Sequence, residues 1–273
     1  MIQESYGKSA FIRSIPPFAV PACERAFLQA HRVIFGSRET SELYTRYNVR
    51  RNFRVTHNGL KLDDIDQVIR TLSKEDARHR LEVRSDRKVI ISVGTVCARK
   101  DQATLAEALG LLARKRTDFE AYIVGAKDGD PHLRRVERIL KGHTVDGRIH
   151  LVSETPDVHA YYRAADVFVL SSLNECFPLV ILEAMAHGLP IVTTRCIGVS
   201  EQVQFGVNAL PFEFSDAAGL AVHLETLLGD EDRRRSMGHH SREIFGTMQT
   251  YDEMVRSYEQ DVLSAWHVGY RGP

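Results

Sequence analysis

The sequence predicts an α/β fold built on a doubly wound parallel sheet, the Rossmann-like architecture. Three observations predict it. Apolar segments of strand length recur from residue 88 onward, segments of helix length separate them, and the strand segments are apolar on both faces. Strands of that kind form parallel sheets with helices on both sides. Such sheets bind their ligands beyond the carboxyl ends of the strands, where the strand order reverses.

Five strands are predicted in this part of the chain, at residues 88–93, 120–124, 148–152, 167–170 and 191–194. The first, KVIISV, is a β-branched run that ends at Gly94, which is typical of a buried strand. Helices are predicted at residues 102–115, 131–140, 155–165, 179–187 and 216–228. Asp101 is the expected N-cap of the first helix. Thr155 is the expected N-cap of the third, with Pro156 at its first helical position.

The first 87 residues follow a different pattern. Strands at 32–35 and 53–56 and helices at 23–30 and 40–47 are too few for a second complete Rossmann domain. A charged linker helix is predicted at 73–82, with Ser73 as its N-cap and Asp76 at the reciprocal position. The last predicted helix, 251–266, places four apolar side chains on one face: Val255, Tyr258, Val262 and Trp266.

Composition excludes several classes of protein. Lys and Arg number 36 and so do Asp and Glu, so the basic excess of a nucleic-acid binder is missing and no nucleic-acid partner is expected. The runs Arg50-Arg51 and Arg233-Arg234-Arg235 are interpreted as solvated faces. Four widely spaced cysteines without a CxxC pair predict neither a zinc site nor a disulfide framework, which fits a reducing cytoplasm. The longest apolar runs are too short to cross a bilayer, and the first residues do not resemble a signal peptide.

The strongest functional signal is SSLNECFPLVILEAMAHGLPIVTT, residues 171–194. A buried strand ends at Ser172, a short loop carries Glu175, and a helix begins near Pro178 and carries Glu183. Free N–H groups and the helix dipole at such a passage favour an anion such as a phosphate. The two carboxylates can each accept hydrogen bonds from the vicinal hydroxyls of a ribose or a sugar. The alternative from spacing alone is that both are solvated charges on an ordinary α/β unit.

The same segment resembles the GT-B retaining glycosyltransferases of family 4, also called glycosyl transferase group 1. Glu175 and Glu183 match the E-x7-E motif of that family, and the resemblance extends from about Ala30 to Trp266. It implies that Glu183 binds the nucleotide ribose and that Glu175 lies beside the donor sugar. The implied donor-binding loop also contains Asn174, Cys176, Phe177, Pro178 and Leu179. Cys176 stands where the family usually has glycine.

A second matching segment is VGTVCARKDQ, which follows the strand at 88–93. Lys100 matches the lysine of the family's VG-R-x4-K-G pattern. Thr95, after Gly94, occupies the arginine position, and Arg99 can supply the second cation. Two cations suit a diphosphate, because charge develops on the leaving group in the transition state. The resemblance therefore implies a catalytic role for Arg99, Lys100 and Glu175, against the alternative of a solvated helix start.

Two further loops complete the expected site. Val152, Ser153 and Glu154 match the segment that binds the nucleotide base through its backbone. The pair Asp128 and Asp130 imitates a DxD metal motif but is interpreted as a turn, because the resemblance implies an enzyme that needs no metal. No cofactor is therefore expected, and the expected substrate is a nucleotide-diphosphate sugar.

The resemblance also predicts the domain organisation. Residues 1–57 would be a remnant of the N-terminal acceptor domain, and 58–87 the hinge and linker helix. Residues 88–250 would form the GT-B C-terminal nucleotide-sugar-binding domain, and 251–273 a crossover helix and tail. Asn58-Gly59 matches the hinge, with His57 in place of a proline.

The first functional hypothesis is a retaining hexosyltransferase-type enzyme, with this chain as its donor-binding half. The acceptor is unknown: a sugar, a lipid-linked glycan or a small molecule. A partner chain or a dimer would supply the acceptor domain. The expected location is the cytoplasm, with attachment to the inner face of the membrane as a variant. The alternative is a non-catalytic nucleotide-sugar-binding or interaction module that needs a partner chain for the acceptor site. An epimerase of GT-B fold is a third hypothesis.

Overall fold

The computed structural model describes residues 20–143, 145 and 147–270. Residues 1–19 of the predicted acceptor-domain remnant and 271–273 of the predicted tail lie outside the described residues. The helices are α1 Val20–Gln29, α2 Arg38–Leu43, α3 Asp63–Thr71, α4 Lys74–Arg80, α5 Gln102–Ala113, α6 Pro131–Lys141, α7 Val158–Ala164, α8 Leu179–Ala186, α9 Ala217–Gly229, α10 Glu231–Phe245 and α11 Tyr251–Tyr270. The strands are β1 Val33–Phe35, β2 Phe53–Val55, β3 Lys88–Val93, β4 Phe119–Ala126, β5 Ile149–Ser153, β6 Val167–Leu170, β7 Ile191–Thr194 and β8 Ala209–Phe212.

The main sheet has six parallel strands in the order β5-β4-β3-β6-β7-β8. The chain first winds outward from β3 through β4 to β5, then returns to place β6 on the other side of β3. The strand order therefore reverses between β3 and β6, where Ile90 pairs with Val167. This arrangement confirms the predicted fold class, and it places the ligand crevice of a doubly wound sheet at the carboxyl ends of β3 and β6.

Both faces of this sheet are covered by helices with apolar sides. Leu105 and Leu109 of α5 pack on one face beside Leu220 and Leu224 of α9, and all four side chains are fully buried. The other face holds Tyr162, Phe168, Ile181 and Met185, which come from α7, β6 and α8. Burial of each such side chain contributes roughly 1.5–3 kcal/mol. The core thus fixes α7 and α8, the two helices that border the β6 side of the crevice.

One predicted helix begins later than expected, and the expected N-cap residue of another does not cap it through its side chain. The helix expected from residue 155 begins at Val158, because the Thr155 hydroxyl accepts from the Asp157 N–H at 3.2 Å in a turn before it. Asp101 lies at the N-cap position of α5 but does not cap it through its side chain. Its backbone is left-handed, with φ of 45°, and its carboxylate accepts from the Thr104 hydroxyl at 2.7 Å.

Three elements were not predicted: α3, β8 and α10. The interpretation of Arg233-Arg234-Arg235 as a solvated face is wrong for Arg234, which is buried on α10. Its guanidinium donates to the carbonyl oxygen of Leu228 at 3.0 Å, at the carboxyl end of α9. Carbonyl groups there have no partner inside their own helix, so a buried guanidinium is a suitable donor.

The N-terminal segment forms its own two-stranded parallel sheet of β1 and β2. α11 returns to this sheet, where Asp261 pairs with Arg32 at 3.2 Å. Val262 and Trp266 of the predicted apolar face line a cavity together with His31, Arg32 and Ile34 of the N-terminal segment, and both side chains keep a large exposed area. The linker helix α4 begins as predicted, because the Ser73 hydroxyl accepts from the Asp76 N–H.

His187 is a packing residue between α7 and α8. It is buried, its ring stacks on Tyr162 at 5.4 Å, and its Nε2 lies 3.3 Å from Nδ1 of His159. Burial, followed by the nearby His159, Arg163 and Arg242, lowers the pKa of His187 to about 3. The folded protein therefore keeps this ring neutral throughout the physiological pH range.

This pKa predicts an acid sensitivity of folding. The unfolded chain protonates His187 below pH 6.5 while the folded chain does not, so the stability is complete above that pH and falls as the pH drops toward 3. When the pH falls from 7 to 5.5, this residue should lower the free energy of unfolding of the wild type by about 1.3 kcal/mol. Urea unfolding should show that the free energy of unfolding of His187→Phe falls by that much less than that of the wild type. The control is His239→Phe, because His239 is exposed on α10. Equal losses in the wild type and His187→Phe would contradict the expectation.

Candidate functional site

The loops that follow β3 and β6 meet at the reversal of the strand order. The Leu173 N–H donates to the carbonyl oxygen of Arg99 at 2.8 Å, and the Ser171 hydroxyl donates to that of Lys100 at 2.9 Å. These bonds join the loop at 94–101 to the loop at 171–178. Residues predicted separately on two segments therefore belong to one site.

Three side chains with predicted catalytic roles converge there. Nζ of Lys100 lies 2.6 Å from Oε1 of Glu175, and Nη1 of Arg99 lies 2.9 Å from Oε2. The Ser172 hydroxyl also donates to Oε1 of Glu175 at 2.8 Å. The carboxylate is only 8% exposed and Lys100 12%, whereas Arg99 is half exposed. Two cations against one carboxylate leave a net positive charge, which suits an anionic ligand.

Backbone geometry brings Lys100 into this position. Gly94 has φ of +140°, and a Cβ added there would lie 3.4 Å from Cε of Lys100. The buried amide of Gln102 holds the loop by donating to the carbonyl oxygens of Gly94 and Thr95 at 3.3 and 3.2 Å. Its own oxygen accepts from the Cys97 N–H at 3.3 Å. Gln102 was not predicted, since a glutamine at the start of a helix gives no sequence signal for this role.

The loop after β5 borders the same edge of the sheet. The Thr95 hydroxyl donates to the Glu154 carboxylate at 3.3 Å, which joins the loops after β3 and β5. Val152 and Ser153 end β5 beside β4, so they lie on the side of the crevice away from Glu175. Glu154 contacts Thr95 and neither of the two motif glutamates. The predicted base-binding segment is therefore a separate part of the edge.

The loop that follows β6 leads into α8, which begins at Leu179. Pro178 is the N-cap residue and makes no side-chain hydrogen bond to the helix. The Pro178 carbonyl oxygen accepts from the side-chain amide of buried Gln202 at 3.1 Å. Upstream of the helix, the Asn174 carbonyl accepts from Nη1 of Arg99 at 2.9 Å. Glu183 lies in the second turn of α8, where Oε2 accepts from the Tyr162 hydroxyl at 2.8 Å.

The predicted hinge contacts the loop at 171–178 directly. The Asn58 amide donates to the Phe177 carbonyl at 2.8 Å, and the His57 ring stacks on the Phe177 ring at 4.5 Å. The exposed Cys176 points toward α2, with Sγ 3.4 Å from Oγ1 of Thr40 and 3.7 Å from Oγ of Ser37. A cavity of about 330 Å³ lies between these elements, lined by Thr40, Tyr44, Arg99, Asn174, Glu175 and Cys176.

Two glutamates that were not predicted hold α2 against the main domain. Glu201 accepts from the N–H groups of Arg38 and Glu39 at 3.0 and 2.8 Å, and also contacts His57 at 3.0 Å. In return, Glu39 accepts from the Gly198 N–H at 2.6 Å and from the Ser200 hydroxyl. Each carboxylate thus binds the turn that carries the other.

The Asp128 and Asp130 segment is a turn that begins α6. Oδ1 of Asp130 accepts from the His132 N–H at 2.7 Å, so Asp130 is the N-cap of that helix. Among the described residues, no three His, Cys, Asp or Glu side chains are grouped as they would be around a metal ion. Within the same residues, no helix has the length and apolar character required to cross a bilayer.

Comparison with known proteins identifies the family. Residues 73–244, more than half of the chain, match the profile of the glycosyl transferases group 1. The chain belongs to this family. A D-inositol 3-phosphate glycosyltransferase of Paenarthrobacter aurescens is 30% identical over 224 residues, which cover 76% of this chain and 54% of that protein. The chain spans about half the length of the curated relatives it matches.

Solved structures of glycosyltransferases share the fold of this group 1 chain. Sucrose-phosphate synthase of Thermosynechococcus elongatus has a TM-score of 0.81 at 23% identity, covering 97% of this chain and 66% of that one. HepE of Anabaena, in complex with UDP-glucose, has a TM-score of 0.78 at 18% identity, covering 92% of this chain and 69% of that one. At such identities the likeness shows the fold alone.

Proposed function

We propose that this group 1 chain binds a nucleotide-diphosphate sugar at the carboxyl ends of β3 and β6 and is the donor-binding half of a retaining hexosyltransferase. The observation that carries the proposal is the convergence of Arg99, Lys100 and Glu175 at the point where the strand order reverses. HepE, which has the same fold, binds UDP-glucose in its crystal structure. That complex supports a donor of the same chemical class for this chain.

In this proposal each part of the site has one task. Lys100 and Arg99 bind the diphosphate, where charge accumulates as the glycosidic bond breaks. The sugar lies against Glu175 and the backbone of Cys176 and Phe177, beside the amino end of α8. Glu183 accepts hydrogen bonds from the ribose. Gly94 and Thr95 lie against the diphosphate, and Val152, Ser153 and Glu154 border the base. No metal takes part, because the two side-chain cations carry out the neutralisation.

Retention follows from attack on the face of the sugar that the leaving group vacates. The acceptor hydroxyl forms the new bond to the anomeric carbon, the bond to the diphosphate breaks, and a phosphate oxygen takes the proton. No protein nucleophile is needed for that sequence. The acceptor would be a sugar, a lipid-linked glycan or a small molecule, bound by an acceptor domain on a partner chain or a second copy. The division at residues 57, 87 and 250 is part of the same proposal, as is a cytoplasmic location with or without attachment to the membrane surface.

A non-catalytic binding module is the second candidate. It is favoured by the engagement of both cations with Glu175 and by the threonine at position 95. Transferase assays of the chain alone, and then with a candidate acceptor-domain chain, separate the two functions. Activity of the chain alone would refute the module, whereas nucleotide binding without transfer in both preparations would favour it.

The proposed role of Glu183 predicts weaker nucleotide binding by Glu183→Ala. The loss should be at least about 1 kcal/mol, because hydrogen bonds to a polar ligand are removed. Thermal shifts with UDP, GDP and ADP sugars select the nucleotide first, since a ligand of the folded state raises the melting temperature. Calorimetry with the selected nucleotide then compares the wild type, Glu183→Ala and the control Glu225→Ala, which removes an exposed carboxylate on α9. If the wild type and both variants bound the nucleotide equally well, the proposed role of Glu183 in ribose binding would be wrong.

A further inference from the structure

The carboxylate of Glu183 is held by a phenol from another helix. The Tyr162 hydroxyl on α7 donates to Oε2 of Glu183 on α8 at 2.8 Å. Tyr162 is completely buried, and its ring stacks with those of Phe168 at 5.8 Å and His187 at 5.4 Å. Because the ring is enclosed by packed neighbours, the phenolic oxygen has a fixed position at the side of α8.

This hydroxyl is a permanent donor. Burial, and after it the neighbouring charge of Glu183, raises the pKa of Tyr162 well above its ordinary value. The phenol thus stays protonated across the physiological pH range. Its proton lies toward Oε2 of Glu183 at 2.8 Å, the nearer acceptor, since the Val180 carbonyl oxygen is 3.5 Å away. A hydrogen bond to a charged acceptor is stronger than one between neutral groups.

The other carboxylate oxygen is left for a ligand. Among the residues that the structure describes, the hydrogen bonds of the Glu183 carboxylate go to Tyr162 alone, through Oε2. The terminal torsion of a glutamate is broad, so an unanchored carboxylate would lose rotational freedom when a ligand binds. Anchoring one oxygen beforehand removes part of that cost and sets the direction of Oε1.

We propose that Tyr162 is a positioning residue for ribose recognition: it orients the Glu183 carboxylate so that Oε1 accepts from a ribose hydroxyl. The inference rests on the proposed function, in which Glu183 binds the ribose. It adds a residue that would not touch the nucleotide and yet sets the selectivity for a ribose over a sugar without its hydroxyl groups.

The test is the ratio of affinities for a ribonucleotide and its 2′,3′-dideoxy analogue. The probes are UDP, GDP or ADP, whichever stabilises the wild type most, and the matching dideoxynucleoside diphosphate. Calorimetry compares the wild type, Tyr162→Phe and Tyr161→Phe. The last is a matched control, because Tyr161 is the adjacent tyrosine and packs edge-on against Tyr122 at 5.5 Å. We expect Tyr162→Phe to reduce the ratio roughly threefold to tenfold, the size of one hydrogen bond, and Tyr161→Phe to leave it unchanged.

The outcomes distinguish failure of this inference from failure of the proposed function on which it rests. A wild-type ratio of one would refute ribose binding by Glu183, and the inference with it. A preference for ribose that Tyr162→Phe retains in full would overturn the inference alone. A smaller folded fraction cannot change the ratio by itself, because both probes bind the same folded state.

A second measurement keeps the test decisive if Tyr162→Phe does not fold. 3-Fluorotyrosine placed at position 162 retains the hydroxyl and reports on its environment by fluorine NMR. Its resonance should move when the ribonucleotide is added and move much less with the dideoxy analogue. Equal movement with both would overturn the inference.

Discussion

Replacing Gly198 with alanine is expected to lower the free energy of unfolding by about 2 to 5 kcal/mol. A left-handed backbone costs an alanine about 1–2 kcal/mol, and forced crowding adds about 1–3 kcal/mol. Gly198 has φ of +80°, and an added Cβ would lie 1.4 Å from the carbonyl oxygen of Cys176. The backbone of the loop at 171–178 would have to move away, so nucleotide binding should weaken as well.

Gly206 offers a matched control for this substitution. Its φ is +86°, close to that of Gly198, but a Cβ there would have no atom within 4 Å. Gly206→Ala should therefore show the backbone cost alone, about 1–2 kcal/mol. Urea unfolding of the two variants measures the difference, which is the cost of crowding against Cys176. If both variants lost the same stability, the close packing of residue 198 on this loop would be wrong.

The second large effect is expected for Lys100→Met. Loss of a charge-assisted hydrogen bond costs about 1.5–3 kcal/mol, so the affinity for a nucleoside diphosphate should fall roughly tenfold to over a hundredfold. Methionine keeps an apolar stem against Gly94, where Cε of Lys100 now lies. The matching nucleoside, which has no phosphate groups, should bind equally well to the wild type and to Lys100→Met.

Lys115→Met is the control for removal of one positive charge. Its ammonium group is exposed and pairs with Glu225 at 2.7 Å, far from the crevice along α5. Isothermal titration calorimetry at constant ionic strength should show little change for this variant, because exposed ion pairs are screened. A similar loss of affinity in both lysine variants would point to net charge rather than to a diphosphate contact.

The sequence predicted the centre of the sheet well, for physical reasons. β6 and β7 begin and end where their apolar runs do, and β3 adds only the half-buried Lys88 at its start, because a strand buried on both faces cannot include charged residues in its interior at low cost. The edge strand β8 was missed, since ALPF is short and contains a proline. Proline is tolerated at the edge of a sheet, and the pattern there is weak.

Helix boundaries depended on competition between local hydrogen bonds. Thr155 and Asp101 are residue types that often form N-caps. The Thr155 hydroxyl instead accepts from the Asp157 N–H in a turn, and the Asp101 carboxylate accepts from the Thr104 hydroxyl. Side chains of these types have several such local partners, so sequence alone does not select one. Ser73 caps α4 as predicted, since its hydroxyl accepts from the Asp76 N–H. The same hydroxyl donates to the carboxylate of Asp76, the residue at the reciprocal position.

The site residues were predictable one by one, whereas their contacts were not. Glu175, Arg99 and Lys100 were placed on two loops from motifs, but their ion pairs follow from the adjacency of β3 and β6. The exchange between Glu39 and Glu201 joins residues more than 160 positions apart, and neither lies in a recognisable pattern. Those roles appear only when the chain is folded.

The most direct test of the donor site is calorimetric titration of the wild-type chain with UDP, GDP and ADP, each beside its nucleoside. The account predicts that one diphosphate binds and that its nucleoside binds at least about tenfold more weakly, because Lys100 and Arg99 contact the phosphates. Binding of the nucleosides as tight as that of the diphosphates, or no binding of any diphosphate, would contradict it.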